Sequence, residues 1–486
     1  MGYIHCIHCT RVPPDKVVSV QLQLKPKNRT FMMNKHTSLF TVPKDLAMRS
    51  PWPTTRAFEA CAPGSQLPET MLRFCRRARS DKAFDACAPG LHQAIDAILR
   101  PPCPATFDSL QLPATLPPHG IGEEQTLQLL APAVLGGARR LDATHAFAHM
   151  DPPTPWISWA TTLWNASLNQ NLLHPELAPI ASDVEAQVVK WLAPEFGMDG
   201  GHMTPGSTVS NVTALWAARE ICGIRRVVAS DGAHISIRKA ANILGLSLTL
   251  LPADRATGEL SAATLRAAEP LSDAALVLTA GTTAVGAIDD LSFAGQAAWT
   301  HVDAAWAGPL RLSPTHRHLL EGIDGADSVS ISAHKWLFQP KDSALVLFKA
   351  TAEAHSALSY GGGYLAKPNV GLLGSRGANA VPLLATLLSW GRVGLVERLD
   401  HSMAAIGQLW RRLDAHPGAL CFAQPATGVL LWRPHEPKRA DELIHRLPGG
   451  AASLATADGQ RWLRHVAANP MVDLDGLWET IRRTLP

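Results

Sequence analysis

The sequence predicts an α/β fold: a mostly parallel central sheet with helices on both of its faces. Short apolar runs bounded by turn residues recur between residues 225 and 348, reading "RRVVAS", "LSLTLLPA", "AALVLTAG", "THVDAA", "DSVSIS" and "SALVLF". Stretches of helical period lie among them, and buried strands separated by helices imply a sheet covered on both sides. The chain of 486 residues is 46% apolar and 17% charged, a globular composition with enough apolar residues for a sizeable core.

In chain order, residues 1–50 read as an irregular leader, able to stay disordered, in which only "VSVQLQL" alternates as an edge strand would. Residues 51–119 read as a helical segment. In it "FEACAPG" (58–64) is echoed by "FDACAPG" (84–90), and both are read as helix ends with similar stop signals, since one recurrence is not a repeat architecture. Proline-rich "RPPCPATF" and "LPATLPPHG" mark linkers around residues 100 to 120. "SDVEAQVVKWLAPEFG" follows as a helix, with Ser182 and Glu185 at capping-box spacing and Val184, Val188 and Leu192 at helical intervals. "STVSNVTALWAARE" is a second helix, carrying Val212, Leu215 and Trp216 on one face.

Several function classes are excluded at this level. A formal charge of +3 is small for the length, and no face gathers Lys and Arg with interleaved aromatics, so no nucleic-acid partner is expected. The amino terminus lacks the apolar core of a secretory signal and no run is long enough to span a bilayer, which makes the cytoplasm the expected location and leaves no membrane role. Eight cysteines in such a chain read as reduced thiols. Cys6 and Cys9, in "HCIHC", have the spacing of half a zinc site, but no second ligand pair follows and no metal is expected.

In covered parallel sheets, ligands collect where the strands end. Four such ends carry polar residues: Asp231 to His234 after "VVAS", Gly281-Thr282-Thr283 after "LVLTA", Asp303 in "HVDAA", and Lys335 closing "SISAHK". Each alone is as readily a turn former or a helix cap; together they suggest one chemistry. A lysine amine forms a Schiff base with an aldehyde cofactor when a desolvated site keeps part of it unprotonated. Pyridoxal phosphate needs that link and an acid opposite its ring nitrogen, which Asp303 on an apolar strand suits. His234 could lie flat on the ring. Its phosphate would sit at a helix amino terminus, available at "TPGSTVSNVTAL" through Gly206, Ser207 and Thr208.

These residues bring the chain into view as one that resembles the group II pyridoxal-phosphate-dependent amino acid decarboxylases, which include glutamate, cysteine sulfinate, diaminobutyrate and aromatic amino acid decarboxylases. The likeness runs from about residue 115 to the carboxyl end through "ASDGAHIS", "GTTAVGAIDDL", "HVDAAWAG" and "AHKW", and "LRHVAANPMVDLDGLWETI" looks like the family's last strand and helix. The resemblance implies fold type I, the aspartate-aminotransferase-like architecture, in a homodimer. Residues 51–119 would contribute to the dimer, 120–395 would form the large cofactor domain, and 396–486 a small carboxyl-terminal α+β domain. It also implies Lys335 as the Schiff-base lysine, Asp303 as the pyridinium partner, His234 as the stacking residue and Ala305 on the ring's other face. Ser207 and Thr208 would take the phosphate, Ser332 and His334 would add contacts to it, and Thr282 would lie near the phenolic oxygen.

The chain departs from the family at Val209, where many relatives carry an acid, and at Ser332, often Asn or Asp. The family's mobile loop supplies a tyrosine that protonates the carbanion once carbon dioxide has left. The chain has three tyrosines, and two of them, Tyr360 and Tyr364, lie in the glycine-rich "SALSYGGGYLAKPNVGLLGSRGAN". "NQNLLHPELAP" is similar to the corresponding segment of glutamate-, cysteine sulfinate- and diaminobutyrate-type members, which suggests Asn169, Gln170 and Asn171 as substrate contacts, with a polar turn as the alternative. The expected reaction is decarboxylation of a polar or charged amino acid such as diaminobutyrate, glutamate or aspartate. The rivals are an aldehyde synthase or aminotransferase on the same fold, or a scaffold that binds the cofactor without turnover.

Overall fold

The computed structural model describes residues 87–485 apart from 269 and 437. The Cys6 and Cys9 pair, the "VSVQLQL" stretch, the first "FEACAPG" and most of the segment 51–119 lie outside the described residues. The second echo is partly described and corrects its reading: Ala88, Pro89 and Gly90 open a helix, Ala88–Leu99, rather than close one. Proline in the first turn explains this, since its missing N–H would have no partner there and its fixed φ suits a helix start.

Residues 97–486 form one compact unit, built on a seven-stranded sheet. Its strands are β1 (Gly200–Thr204), β2 (Arg226–Ser230), β3 (Ser247–Leu251), β4 (Ala274–Thr279), β5 (Trp299–Asp303), β6 (Ser328–Ile331) and β7 (Ala344–Phe348), in spatial order β1-β7-β6-β5-β4-β2-β3. All six predicted runs are strands. β1 is an addition, hidden in the sequence because "GGHMT" opens on two glycines and has no apolar run. The pairings β3·β2, β2·β4, β4·β5 and β5·β6 are parallel, whereas β7 runs antiparallel to both β6 and β1. The β6–β7 connection contains no crossover helix, so the chain turns straight back. That turn carries Lys335.

β4, β5, β6 and β7 are buried along their whole length, while edge strand β3 alternates between partly buried and exposed residues. One core, around Trp306, Trp336, Leu276 and Leu345, lies on one face of the sheet. A second, around Leu215, Ile237 and Val277, lies on the other. Helix Pro179–Leu192 begins three residues before the predicted capping box, again at a proline. Ser182 is therefore inside the helix, bonding back to Ala178 O at 3.1 Å, and Glu185 accepts from Met203 N and pairs with Arg376. Helix Ser207–Cys222 buries Val212 and Leu215 as expected.

Beyond a two-stranded ribbon, β8 (Ser359–Tyr360) with β9 (Asn369–Val370), the chain enters helix Ala380–Asp414. By length and composition this helix could cross a membrane. It is broken, however, at Gly391 (φ 62°, ψ −176°), and its Leu383, Leu395, Leu399 and Leu409 are buried in protein. The expected domain boundary at 395 falls within it. A four-stranded antiparallel sheet follows, β10 (Ala419–Cys421), β11 (Val429–Pro434), β12 (Ser453–Ala457) and β13 (Gln460–Val466), in the order β10-β11-β13-β12. The last strand and helix Leu474–Arg482 overlap the segment whose sequence suggested them, the strand starting three residues before it and the helix ending one residue after it.

Candidate active site

Five chain segments leave the same edge of the large sheet, because β1, β2, β4, β5 and β6 are parallel and end there. They enclose a cavity of about 200 Å³ lined by Ser207, Thr208, His234, Asp303, Ser332 and Lys335, with Ala305 and His334 also in its wall. Its floor is made by β4 passing into Gly281, whose φ of +97° and close approach to Trp306 (2.8 Å for an added Cβ) leave room for no side chain.

Lys335 is held in the turn after β6, its backbone N–H bonded to Ser332 O at 3.1 Å. Phe338 (φ 59°) and Asp342 (φ 64°) later in the same turn take left-handed conformations, an unusual demand on residues with side chains. Burial pushes the Lys335 ammonium below its ordinary pKa, against the opposing pull of Asp303 and Asp151. That is the environment of a nucleophilic amine. Asp303 receives Asn211 Nδ2–H at 2.9 Å and Ala305 N–H at 3.1 Å, so each of these neighbours offers a donor to the carboxylate. His234 caps helix Ile235–Leu244, its Nδ1 accepting from Ser236 N–H at 3.2 Å. Burial lowers its pKa and favours the neutral ring.

Helix Ser207–Cys222 starts at Gly206 without a side-chain cap, and the backbone N–H groups of Ser207 and Thr208 have no partner among the described residues. Together with the hydroxyls of Ser207 and Ser332, 2.6 Å apart, they offer a cradle for an anion. His334 gives its Nδ1–H to Ser343 O at 3.0 Å, and burial lowers its pKa to about 4. Its Nε2 can therefore donate to a phosphate only when the ring is protonated, a state that a neighbouring anion favours.

One expected contact is corrected. Thr282 accepts Ala287 N–H on its hydroxyl at 3.0 Å, is 1% exposed, and does not line the cavity. The tight turn after β4 draws it into its own loop. Thr279 and Thr283 line the cavity instead, and Thr279 Oγ1 is buried without a partner. An orphaned hydroxyl beside an amine, a carboxylate and a helix terminus fits pyridoxal phosphate, whose phenolic oxygen would satisfy it. Thr279 was missed because it reads as the end of an apolar strand. Asn211 was missed as well, although it lies one turn along the same helix face from Ser207 and Thr208.

The remaining predicted residues are not brought to this cavity within one chain. Asn169 ends helix Trp156–Leu168 in the left-handed conformation (φ 43°), as a polar turn would, and lies with Gln170 in a separate cavity of about 280 Å³ beside Gln339 and Lys341. Asn171 binds Leu173 N, Arg376 N and Ser375 Oγ, tying the glycine-rich segment down. Tyr360 stacks on Trp216 (centroids 5.9 Å apart) and Tyr364 lies 6.5 Å from the ring of His174; both are exposed. Lys341 pairs with Asp151, whose charge reaches Lys335 and His334. Among the described residues no group of three His, Cys, Asp or Glu side chains could hold a metal.

The family model for the pyridoxal-dependent decarboxylase conserved domain matches residues 108–417, which contain every element of this cavity. The chain belongs to that family. It is an amino acid decarboxylase, a carboxy-lyase, with pyridoxal 5'-phosphate as its cofactor. The decarboxylase is 30% identical over 417 residues to L-2,4-diaminobutyrate decarboxylase of Rhizobium meliloti, covering 76% of this chain and 84% of the relative. To the protein of that name from Acinetobacter baumannii it is 27% identical, over 65% of this chain and 72% of the relative. It superposes on the glutamate decarboxylase domain of a diaminobutyrate-pyruvate transaminase and L-2,4-diaminobutyrate decarboxylase from Vibrio parahaemolyticus with a TM-score of 0.71 at 24% identity, over 82% of this chain and 94% of that one. With Oryza sativa TDC bound to PLP and tryptamine the TM-score is 0.72 at 21% identity, over 82% of this chain and 96% of that one. The decarboxylase therefore has fold type I.

Proposed function

We propose that the enzyme decarboxylates an L-amino acid with a polar or charged side chain, L-2,4-diaminobutyrate before glutamate or aspartate, to the amine and carbon dioxide, as a cytoplasmic homodimer. The observation that carries the site assignment is the depressed amine of Lys335 in one cavity with Asp303 and a free helix amino terminus. The substrate preference draws support from the two diaminobutyrate decarboxylases, which match this chain over most of their length.

Pyridoxal phosphate, when bound, supplies the electron sink for the pair left behind by carbon dioxide. Lys335 would present the amine that anchors it. Asp303 would hold a proton on the ring nitrogen, paired through its carboxylate. His234 and Ala305 would pack against the ring. Ser207, Thr208, Ser332 and His334 would hold the phosphate, and Thr279 would offer its hydroxyl to the phenolic oxygen. Tyr360 or Tyr364, on a glycine-rich segment suited to a lid, returns a proton to the substrate carbon. Residues 51–119 and the carboxyl-terminal part from 396 onward serve as the dimer-forming and small domains.

Carbon dioxide release across a panel of amino acids, with each product identified, tests this reading. Release from diaminobutyrate with propane-1,3-diamine as product is expected. An aldehyde with ammonia, or a keto acid, would instead identify an aldehyde synthase or an aminotransferase. Lys335→Ala should abolish both turnover and the visible absorbance of the anchored cofactor; retained absorbance would refute the anchor, and bound cofactor without turnover of any substrate would indicate an idle scaffold.

A further inference from the structure

Behind Asp303 and His234 lies a buried chain of hydrogen bonds whose direction is fixed at every link. Asn211, fully buried, gives Nδ2 hydrogens to Asp303 Oδ2 at 2.9 Å and to Ser236 Oγ at 2.8 Å. Its Oδ1 receives Ser330 Oγ–H at 2.7 Å and faces His301 Nε2 at 3.0 Å. The amide cannot be turned over, because that would set an oxygen against the acceptor-only carboxylate of Asp303.

The fixed amide dictates its neighbours. His301 must carry its hydrogen on Nε2, facing Asn211 Oδ1. Its Nδ1 then accepts from Ser328 Oγ at 2.9 Å, and Ser328 in turn receives Trp299 Nε1–H at 2.9 Å. On the other branch, Ser236 Oγ accepts from Asn211 and turns its own hydrogen to His234 Nδ1, 2.8 Å away. The Ser236 backbone N–H also points at that nitrogen, which leaves the His234 hydrogen on Nε2. Hydrogens along the chain thus point from Trp299 toward both Asp303 and His234. The other titratable groups facing the carboxylate are His301, His234 and Lys335; those facing His234 are Asp303, Lys335 and Lys239.

We propose that Asn211 is a positioning residue of the decarboxylation site: its two amide hydrogens fix the Asp303 carboxylate and, through Ser236, the Nε2–H tautomer of His234. The inference rests on the roles proposed above for Asp303 and His234, and it makes those two residues one coupled unit. An amide serves here where an acid would fail, because only an amide gives two hydrogens and takes two with no charge of its own beside Asp303.

The test uses the full chain and begins with nitrogen-15 NMR of histidine in the cofactor-free protein, where His234 should show a bare Nδ1 and a protonated Nε2. A proton on Nδ1 would overturn the inference. In the cofactor-loaded enzyme, Asn211→Asp should lower kcat by roughly 100-fold at pH 8 with little change in KM, the scale of losing one preorganised donor. Activity should return as the pH falls and the introduced carboxyl gains a proton to donate, a rescue that a loss of packing alone would not give. Wild-type kcat and an unchanged pH profile would overturn the proposal. If Asn211→Asp does not fold, Ser236→Ala decides: a loss of roughly tenfold in kcat with altered His234 nitrogen signals supports the coupling, and unchanged values on both overturn it. Should the wild type decarboxylate nothing while His234 shows the expected tautomer and Asn211→Asp weakens cofactor binding, the reaction assignment would fall and the positioning role would stand.

Discussion

Gly428→Ala places a single methyl group against the indole next to the anchoring lysine, from a residue far away in sequence. A Cβ at Gly428 would stand 2.5 Å from Trp336 Cζ2, 2.8 Å from its Cη2 and 3.2 Å from Trp306 Cζ2. Carbon atoms prefer about 3.5 to 4.0 Å, so the Trp336 ring would have to retreat by roughly 1 Å. It has nowhere to go. Trp336 is fully buried, stacks on Trp306 with centroids 4.0 Å apart, and is held by its Nε1–H to Ala467 O at 3.0 Å. Overpacking of this kind costs about 1 to 3 kcal/mol. In a unit of this size each kcal/mol lowers Tm by about 2 to 4 °C. Because Trp336 follows Lys335 directly, the strain should also displace the amine, and misplacement by about 1 Å can cost up to roughly 100-fold in rate. Thermal unfolding of the cofactor-free protein and steady-state decarboxylation kinetics measure the two effects. Wild-type Tm and kcat in the variant would refute the reasoning, since the ring would then have room that the packing denies it.

Thr279→Val removes a buried hydroxyl that has no partner while keeping its shape. The cofactor-free protein should be as stable or slightly more stable, and the cofactor should dissociate roughly tenfold more readily, as read by equilibrium dialysis. His301 and His465 are both held down to about 4 by burial. The unfolded chain protonates them from about pH 6.5 and the folded one does not until about 4, so each removes up to roughly 3 kcal/mol of stability as the pH falls through that interval. Asp289, raised to about 7 by burial, works the other way, because the folded state takes its proton first. Urea midpoints from pH 7.5 to 5 should therefore fall more steeply for Asp289→Asn than for the wild type, and parallel slopes would contradict the assignment. Finally, Tyr360→Phe and Tyr364→Phe should separate the two loop tyrosines: the variant that loses amine formation, by product analysis, identifies the proton donor.

Lys335, Asp303 and His234 were legible in the sequence because each follows a short apolar run that closes with a turn, and strand ends in a parallel sheet converge wherever the strands are placed. Ser207 and Thr208 were legible for the same kind of reason, since a glycine before a helical period marks a helix start. Thr282 and Thr283 could not be told apart from Thr279 in this way. Which hydroxyl faces the cavity depends on how the turn after β4 closes on Ala287. Nor could Asn169 be recognised as a helix stop from its polarity alone; its left-handed backbone shows the role.

The sequence by itself determined the family, the α/β architecture and the order in which the reactive groups reach the sheet edge, because strand period, turn chemistry and motif spacing are local properties. Only the tertiary structure decided the direction of the Asn211 hydrogen bonds, the exchange of Thr282 for Thr279, and the contact of Gly428 with Trp336. Each of these joins residues on different elements, and the choice among chemically similar candidates is made by which buried donor, acceptor or volume happens to be left unmatched when those elements pack.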